Sequence, residues 1–306
     1  MINAQQISLV GAPVDLGAGR RGVDLGPAAL RHAGINERLT QLGFQVFDEG
    51  NVPVPNWESL AIPPADEKLR YLSPLTQFFQ SLAVKVADVV QSGRFPVVIG
   101  GDHSLSLGSM NGSAMIGRST RKLGVLWIDA HGDFNTHETT LTGNIHGMPL
   151  AALAGLGHAS LTQLMGNSPV VEAHSIAIVG ARDLDPLERA LLKEAGVNVF
   201  TMHDIDRRGM SAVICHALEL ISKGNDGIHV SFDMDVLDPR EVPGIGTPVP
   251  GGITLREAHL AMELVHSQEN LLSLDLVETN PILDNNNVTA KVAVELICSA
   301  LGETIF

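Results

Sequence analysis

Eight short apolar runs constrain the fold of this chain more than any other feature of its sequence. Each run is rich in valine, isoleucine or leucine and is bounded by glycine, proline, aspartate or asparagine. Most are continuously apolar, which is typical of parallel strands covered on both faces. We predict strands at Ile7–Val10, Gln45–Phe47, Pro96–Ile99, Gly124–Ile128, Ser175–Val179, Val197–Phe200, Ile228–Phe232 and Leu271–Val277.

Helix-like segments separate these runs, among them Pro74–Gln91, Pro186–Ala195, Met210–Ser222, Thr254–His266 and Asn287–Leu301. The alternation predicts a three-layer α/β fold, in which helices cover both faces of a mostly parallel, eight-stranded sheet. Eight strands also fit a closed barrel, but their uneven spacing, with a long gap between Phe47 and Pro96, favours an open sheet. Because we find neither an internal repeat nor a long linker, residues 1–306 are expected to form one domain.

Composition argues against several classes of function. The 306 residues carry a formal net charge of −14, which disfavours nucleic acid and anionic membranes as partners. No segment approaches 18 consecutive apolar residues, and the N-terminal stretch lacks the pattern of a secretory signal. The two cysteines, Cys215 and Cys298, indicate no disulfide framework and no thiolate metal site. We therefore predict a cytoplasmic protein.

The stretch GAGRRG, Gly17 to Gly22, matches the GxGxxG pattern of dinucleotide-binding loops. Such a loop should turn directly off a strand, with an acidic residue about 20 positions later. Here residues 13–16 intervene, and the acidic residue that follows the local Asp24 is Glu37, in a helix-like stretch. We favour a glycine-rich surface loop near a pocket and keep a nucleotide-dependent enzyme as an alternative.

Ionisable residues directly follow four of the predicted strands. The carboxyl ends of the strands form the ligand crevice of open α/β sheets, so all four sets are expected to meet in one place. In chain order they are Asp102 and His103 in VVIGGDHS, Asp129, His131 and Asp133 in VLWIDAHGD, Asp233 and Asp235 in HVSFDMDVLDP, and Glu278 in LLSLDLVETNP.

The spacings D-x-H-x-D and D-x-D have a stereochemical meaning. In an extended chain residues i and i+2 point the same way, so Asp129, His131 and Asp133 are expected to face one point. Asp233 and Asp235 are expected to do the same. Crowded carboxylates repel one another unless cations lie between them. Any one of these residues alone fits a loop cap, but the whole set at strand ends indicates a metal site.

The donor set narrows the metal and its chemistry. Carboxylates and imidazoles without a thiolate form an oxygen-rich site that suits Mn²⁺, with Zn²⁺, Fe²⁺ or Co²⁺ as alternatives. Six ligand residues are too many for one ion that keeps a position open, so we expect two ions that share carboxylates. Such a pair activates a water molecule. The sequence therefore predicts metal-assisted hydrolysis.

Three motifs in this order, GGDHS, DAHGDFN and SFDMDVLDP, resemble the signature motifs of the arginase (ureohydrolase) family. The stretch GAPVDLGAGRRGVDLGPAALRHAGI and the later GTPVPGG and ETNP are similar to other parts of that family, so the resemblance spans nearly the whole chain. It implies the arginase-like fold, two Mn²⁺ ions per subunit and a guanidine substrate. Family members tend to form trimers or hexamers, which implies a homo-oligomer.

The resemblance also implies the ligands of each ion. The implied ligands are His103, Asp129, Asp133 and Asp233 for one Mn²⁺, and Asp129, His131, Asp233 and Asp235 for the other. Asp129 and Asp233 would bridge the ions together with a hydroxide that attacks the guanidinium carbon. Asp102 would lie behind the ligands.

Roles in the reaction follow from the same resemblance. Asp133 would carry a proton to the departing amine, because expulsion of an unprotonated amine is prohibitive. His146 would relay protons to solvent, a task that suits a pKa near neutral. Glu278 would pair with the guanidinium group, and Thr247 would line that end of the site.

Substrate selection is implied by two further stretches. DFNTHETTLTGNIHGMP resembles the form in which Asn135, Thr142 and Asn144 hold an α-carboxylate, and neutral donors suit that group. Threonine at position 142 departs from the usual serine but keeps the hydroxyl. GARDLDPLE resembles the stretch whose Asp185 and Glu188 meet an α-ammonium group.

The implied reaction is the hydrolysis of L-arginine to L-ornithine and urea. An agmatinase or guanidinobutyrase is an alternative, although such an enzyme should not need Asn135, Asn144 and Asp185. A non-catalytic metal-binding protein of this fold is a second alternative, and the intact ligand set with His146 and Glu278 argues against it. The sequence assigns no role to the arginines of GAGRRG or to His137.

Overall fold

An eight-stranded sheet in which all neighbouring strands are parallel forms the centre of the computed structural model, which describes residues 5–64, 66–116, 119–268 and 270–304. A separate two-stranded antiparallel ladder, β4 with β5, follows the third strand along the chain. The strands are β1 (Gln6–Ala12), β2 (Gln45–Asn51), β3 (Phe95–Gly100), β4 (Met115–Ile116), β5 (Ser119–Thr120), β6 (Leu123–Ile128), β7 (Ile176–Ala181), β8 (Asn198–Thr201), β9 (Gly227–Asp233) and β10 (Leu271–Val277).

The sheet has the strand order β2-β1-β3-β10-β9-β6-β7-β8. All eight predicted strands are present, and the sheet is open, with β2 and β8 at its edges. The strands that precede the four ionisable motifs, β3, β10, β9 and β6, are consecutive neighbours in the middle of the sheet. Because they are parallel, their carboxyl ends lie side by side at one edge.

Helices cover both faces of the sheet. They are α1 (Gly26–His32), α2 (Ile35–Gln41), α3 (Leu72–Gln91), α4 (Ser106–Ala114), α5 (Pro149–Leu153), α6 (Ala159–Thr162), α7 (Pro186–Ala195), α8 (Met202–Arg208), α9 (Met210–Ser222), α10 (Leu255–His266) and α11 (Val288–Ala300). The five predicted helices correspond to α3, α7, α9, α10 and α11. Helix α3 begins two residues before Pro74, which its first turn tolerates because the amides there have no intrahelical partner.

Alternation along the strands divides the apolar side chains into two cores. In β6, Val125 and Trp127 belong to one core and Leu126 and Ile128 to the other. Residues of α1, α2, α9, α10 and α11 pack into the core of Leu126, and residues of α3, α4 and α5 into the core of Trp127. This arrangement confirms the predicted three-layer fold. No helix of the described residues is long and apolar enough to span a bilayer.

Helix α4 was not predicted, because its sequence SLGSMNGSA is rich in serine and glycine. Every residue of it is buried against α3 and the sheet. A Cβ atom at Gly108 would lie 2.7 Å from the carbonyl oxygen of Phe79, and one at Gly112 would lie 2.5 Å from that of Ala83. The glycines therefore permit a close helix–helix approach, and tertiary packing outweighs low helix propensity.

Candidate metal centre

Three of the four strand ends use the same turn. The Oδ1 atoms of Asp102, Asp129 and Asp233 each accept a hydrogen bond from the backbone amide two residues later, at 3.0, 2.7 and 2.8 Å. The expected extended alternation is therefore wrong as the cause of convergence, since the chain turns at once and Asp133 has a left-handed φ of 48°. Each hydrogen-bonded turn directs the side chain two residues later back toward the aspartate.

The first group of converging side chains, called here the His103 cluster, comprises His103, Asp129, Asp133 and Asp233. The Nδ1 atom of His103 lies 3.0 Å from Asp129 Oδ2, 3.1 Å from Asp133 Oδ2 and 3.1 Å from Asp233 Oδ2. The imidazole is 1% exposed and stacks on Trp127 with a centroid distance of 3.9 Å. The indole Nε1 of Trp127 donates to Asp129 Oδ2 at 2.8 Å.

The second group, called here the His131 cluster, comprises Asp129, His131 and Asp235. The Nδ1 atom of His131 lies 3.4 Å from Asp129 Oδ1 and 3.0 Å from Asp235 Oδ2. The side chain of His131 is 27% exposed, and its Nε2 atom lies 4.0 Å from the exposed carboxylate of Asp183. Asp129 belongs to both clusters and turns one carboxylate oxygen toward each histidine.

The donor atoms fit two metal ions. The ligating atoms of His103, Asp129 and Asp233 lie within 4.8 Å of one another, and so do those of Asp129, His131 and Asp235. The buried Nδ1 atom of His103 has no hydrogen-bond partner among the described residues, although three carboxylates surround it. A nitrogen lone pair and several carboxylate oxygens aimed at one point form a site for a divalent cation rather than a hydrogen-bond network.

Burial and crowding also perturb protonation within the clusters. Burial disfavours a charged imidazole, but Asp129, Asp133 and Asp233 outweigh it and hold the pKa of His103 well above its ordinary value. Burial, reinforced by the charge of Asp129, raises the pKa of Asp133 to about 6. Shifted pKa values in one buried cluster are typical of functional sites.

A cavity of about 200 Å³ opens beside the two clusters. Residues of both clusters line it together with Thr140, Gly147 and Asp183, which the sequence did not single out. His103, Asp129 and Glu278 are almost completely buried behind it. The predicted substrate and proton-transfer residues at its wall are Asn135, Thr142, Asn144, His146, Asp185, Glu188 and Thr247.

Glu278 carries an unsatisfied buried oxygen. Its Oε1 atom accepts from the backbone amide of His103 at 3.1 Å and lies 3.4 Å from His146 Nδ1. Its Oε2 atom is buried and has no hydrogen-bond partner in the described part of the chain. Gly246 keeps that oxygen free, because a Cβ atom there would lie 2.3 Å from it. The arrangement leaves a buried carboxylate oxygen available to a cationic ligand.

The environment of His146 differs from the expectation. Burial lowers its tendency to ionise, but the adjacent Glu278 outweighs burial and raises the pKa of His146 to about 9, not near neutral. Its backbone amide donates to the carbonyl of Gly17, which fixes it beside the GAGRRG loop. The imidazole therefore carries a proton at neutral pH.

The residues predicted to bind an ammonium group lie at the start of α7 and are held by hydrogen bonds. Asp185 caps this helix in a capping box with Glu188, and Asn135 Nδ2 donates to Asp185 Oδ2 at 3.1 Å. Glu188 Oε1 accepts from the backbone amide of Phe134 at 2.9 Å, and burial raises the pKa of Glu188 to about 7. The contact between Asn135 and Asp185 joins the two predicted halves of the amino-acid subsite.

Thr247 and Asp102 each make hydrogen bonds that the sequence did not predict. The Thr247 hydroxyl donates to Asp235 Oδ2 at 2.9 Å, so it orients a candidate ligand. Asp102 is fully buried and accepts from the amide of Gly17 at 2.8 Å, which ties the GAGRRG loop to the end of β3. His137 packs edge-on against His158 with ring centroids 5.6 Å apart.

Arg182 is a residue of the site that sequence reasoning missed. Its guanidinium Nη2 donates to the carbonyl oxygens of Asp235 at 2.7 Å and Val249 at 2.6 Å. It thereby holds the segment after β9 against the segment that carries Thr247. Arg182 lies within the stretch GARDLDPLE, but contacts to backbone carbonyls leave no pattern of partner side chains that would reveal its role.

The fold and the site together define a class of protein: a parallel α/β hydrolase whose central strand ends present ligands for two metal ions beside a small polar cavity. Comparison with known proteins specifies the family. The model of the arginase family matches residues 5–302. The chain belongs to the arginase family, and it is a hydrolase that acts on a guanidino C–N bond.

Individual relatives agree with this assignment over nearly their full length. The chain is 48% identical to an arginase of Bacillus subtilis (strain 168) over 98% of each protein, and 43% identical to an arginase of Staphylococcus aureus (strain COL) over the whole of both. Among solved structures, native arginase from Bacillus caldovelox matches with a TM-score of 0.93 and 46% identity, covering 98% of this chain and 99% of that one.

Proposed function

We propose that this enzyme hydrolyses L-arginine to L-ornithine and urea at a pair of Mn²⁺ ions held by the His103 and His131 clusters. The observation that carries the proposal is the sharing of Asp129, whose two carboxylate oxygens lie 3.0 Å from His103 Nδ1 and 3.4 Å from His131 Nδ1. A carboxylate between two imidazole-containing clusters suits a binuclear centre. Family membership supplies the guanidine chemistry.

Manganese is the proposed metal because of the ligand atoms. The two clusters offer carboxylate oxygens and imidazole nitrogens, and they include no thiolate. Divalent manganese accepts such an oxygen-rich set, whereas soft metals prefer sulfur. When bound, the pair supplies an activated water close to neutral pH. The His103 cluster would hold one ion with His103, Asp129, Asp133 and Asp233, and Asp129, His131, Asp233 and Asp235 would hold the other.

The protein's own residues position the guanidinium and move protons. Glu278 offers its free Oε2 atom to guanidinium N–H groups, which a carboxylate accepts in a charge-assisted pair. Asp133, which lines the cavity, is placed to carry a proton to the departing amine. His146, protonated beside Glu278, restores protons to the site from the solvent side.

The α-carboxylate and α-ammonium groups of the substrate would contact residues that line the cavity. Asn135, Thr142 and Asn144 offer neutral donors to an α-carboxylate, and Asp185 with Glu188 offers acceptors to an α-ammonium group. Asn135 and Asp185 are hydrogen-bonded to each other, so one substrate that carries both groups uses them as a unit. This pairing favours an α-amino acid over agmatine, which keeps an ammonium group but has no carboxylate.

A panel of guanidines tests the substrate. Urea release from L-arginine, agmatine and 4-guanidinobutyrate is measured with the Mn²⁺-loaded enzyme and its Asn135→Ala variant. We expect L-arginine to have the highest kcat/KM. The variant should lose about 10–100-fold on L-arginine, as expected for a hydrogen bond to a charged group, and much less on agmatine. Faster turnover of agmatine than of L-arginine by the unaltered enzyme would overturn the substrate assignment.

Three further expectations stay predictions. We predict that residues 1–306 form one domain, that the enzyme assembles as a homotrimer or homohexamer, and that it acts in the cytoplasm without nucleic-acid or membrane partners. Mass measurement in solution tests the assembly. The substrate panel is independent of all three.

A further inference from the structure

A chain of buried polar side chains leads away from the metal-facing imidazole of His103. The Nε2 atom of His103 lies 2.8 Å from Ser231 Oγ, and Ser231 Oγ lies 3.4 Å from Ser106 Oγ. The Ser106 hydroxyl in turn donates to Asp275 Oδ2 at 3.2 Å. Ser106, Ser231 and Asp275 are each 0% exposed, so no solvent reaches the chain.

A metal ion on Nδ1 of His103 would give this hydrogen-bonded chain a direction. The Nδ1 atom of His103 faces three carboxylates and ligates metal only when it carries no proton, so the neutral imidazole carries its proton on Nε2. With metal on Nδ1, that proton would be donated to Ser231, and Ser231 would donate to Ser106, which donates to Asp275. An ionised carboxylate can only accept hydrogen bonds, so a series of donated hydrogen bonds can end at it.

The carboxyl group of Asp275 is completely buried. Asp275 is the fifth residue of β10, and its partners come from the two elements packed beside it. Ser109 of α4 donates to its Oδ1 atom, and the Nε2 atom of His229 of β9 lies 3.2 Å from its Oδ2 atom. His229 Nδ1 is 2.7 Å from Ser273 Oγ. A buried carboxylate of this kind is expensive unless it has partners, and it is not in contact with the cavity or the candidate metal ligands.

We propose that Asp275 is a positioning residue for the metal ligand His103 and acts through the relay Ser106–Ser231. The relay would hold His103 in the tautomer that leaves Nδ1 free for metal and would fix the orientation of the ring. A metal-bound histidine commonly donates its other N–H to a carboxylate directly. Here two serine hydroxyls extend that link from β10 to the end of β3. The inference rests on the proposed binuclear centre.

The two serines of α4 provide a matched pair for the test. Ser106 and Ser109 are both fully buried and both donate to Asp275, but only Ser106 also contacts Ser231. Ser106→Ala therefore breaks the relay, and Ser109→Ala removes one hydrogen bond of the same carboxylate and leaves the relay intact. If Asp275 merely needs buried partners, the two variants should behave alike.

The experiment measures Mn²⁺ affinity by chelator competition in the full chain, together with the thermal midpoint of each metal-free protein. We expect Ser106→Ala and Asp275→Asn each to weaken Mn²⁺ binding at the His103 cluster by about tenfold, the size typical of a lost outer partner of a metal ligand. Ser109→Ala should change that affinity by less than about threefold, with a comparable shift in thermal midpoint. Binding of the other ion, at the His131 cluster, should change much less.

A double variant makes the test sharper. If Ser106 and Asp275 act through one relay, Ser106→Ala combined with Asp275→Asn should lose no more affinity than the larger single loss. Equal losses for Ser106→Ala and Ser109→Ala, or additive losses in the double variant, would overturn the proposal. If either alanine variant fails to fold, Ser106→Cys and Ser109→Cys give the same comparison. Failure of the unaltered chain to bind Mn²⁺ would instead refute the metal centre itself.

Discussion

The His103 cluster and the His131 cluster share Asp129 but lie in different surroundings. His103 is 1% exposed, stacks on Trp127 and has its second nitrogen 2.8 Å from Ser231. His131 is 27% exposed, and its second nitrogen lies 4.0 Å from an exposed carboxylate. The His103 half of the centre is therefore prearranged by the core, whereas the His131 half is held by a turn at the cavity wall. The two ions should therefore bind with unequal affinity.

Loss of the shared ligand should have the largest effect. Asp129→Asn keeps the shape of the side chain but removes the charge between the two histidines. Because a bound metal contributes several kcal/mol to the transition state, we expect urea release from L-arginine to fall by about 10³-fold or more. Metal content by mass spectrometry should fall at both sites. Retention of one tightly bound ion and most of the activity would mean that the clusters are independent.

The histidines themselves should differ in their effect on the metal-free fold. His103→Ala leaves three buried carboxylates without their cationic neighbour, which should lower the free energy of unfolding by about 3–5 kcal/mol. His131→Ala removes a partly exposed ring, and Asp235 keeps hydrogen bonds from Ala130 and Thr247, so a loss of roughly 1 kcal/mol is expected. Denaturant unfolding in the presence of chelator measures both. Equal losses would remove the distinction between the clusters.

Residues next to the candidate ligands should show the same difference between the two clusters, with smaller effects on Mn²⁺ binding. Trp127→Phe keeps an aromatic ring beside His103 but removes the N–H bond to Asp129, and it should weaken Mn²⁺ binding by about tenfold. Asp183→Asn changes a 68% exposed carboxylate 4.0 Å from His131, and it should weaken binding by about twofold or less. Chelator competition distinguishes the two. If Asp183→Asn weakened Mn²⁺ binding more than Trp127→Phe, the His131 cluster rather than the His103 cluster would be the prearranged half.

Much of the fold follows from local sequence patterns, because strands buried on both faces are continuously apolar. The order of the strands does not, since β10 inserts between β3 and β9 through contacts distant in the chain. Helix α4 escaped prediction because close packing of Gly108 and Gly112 on α3, rather than helix propensity, stabilises it.

The ionisable residues of the site were predictable from their places at strand ends, and the structure brings them together around one cavity. The local conformation that brings them together was not predictable. A hydrogen-bonded turn at Asp129 or Asp233 has the same sequence pattern as an extended strand with alternating side chains. The sequence alone indicates no role for His229. Its contact with Asp275 depends on the pairing of β9 with β10, which no single stretch of sequence reveals.

Stepwise addition of Mn²⁺ to the metal-free enzyme, with bound metal and urea release from L-arginine followed together, tests the central claim most directly. We expect two ions per chain in two classes of affinity, a tighter one at the His103 cluster and a weaker one at the His131 cluster. Activity should rise with occupancy of the weaker class. Full activity at one ion per chain, or a single class of sites that His103→Ala and His131→Ala weaken equally, would contradict it.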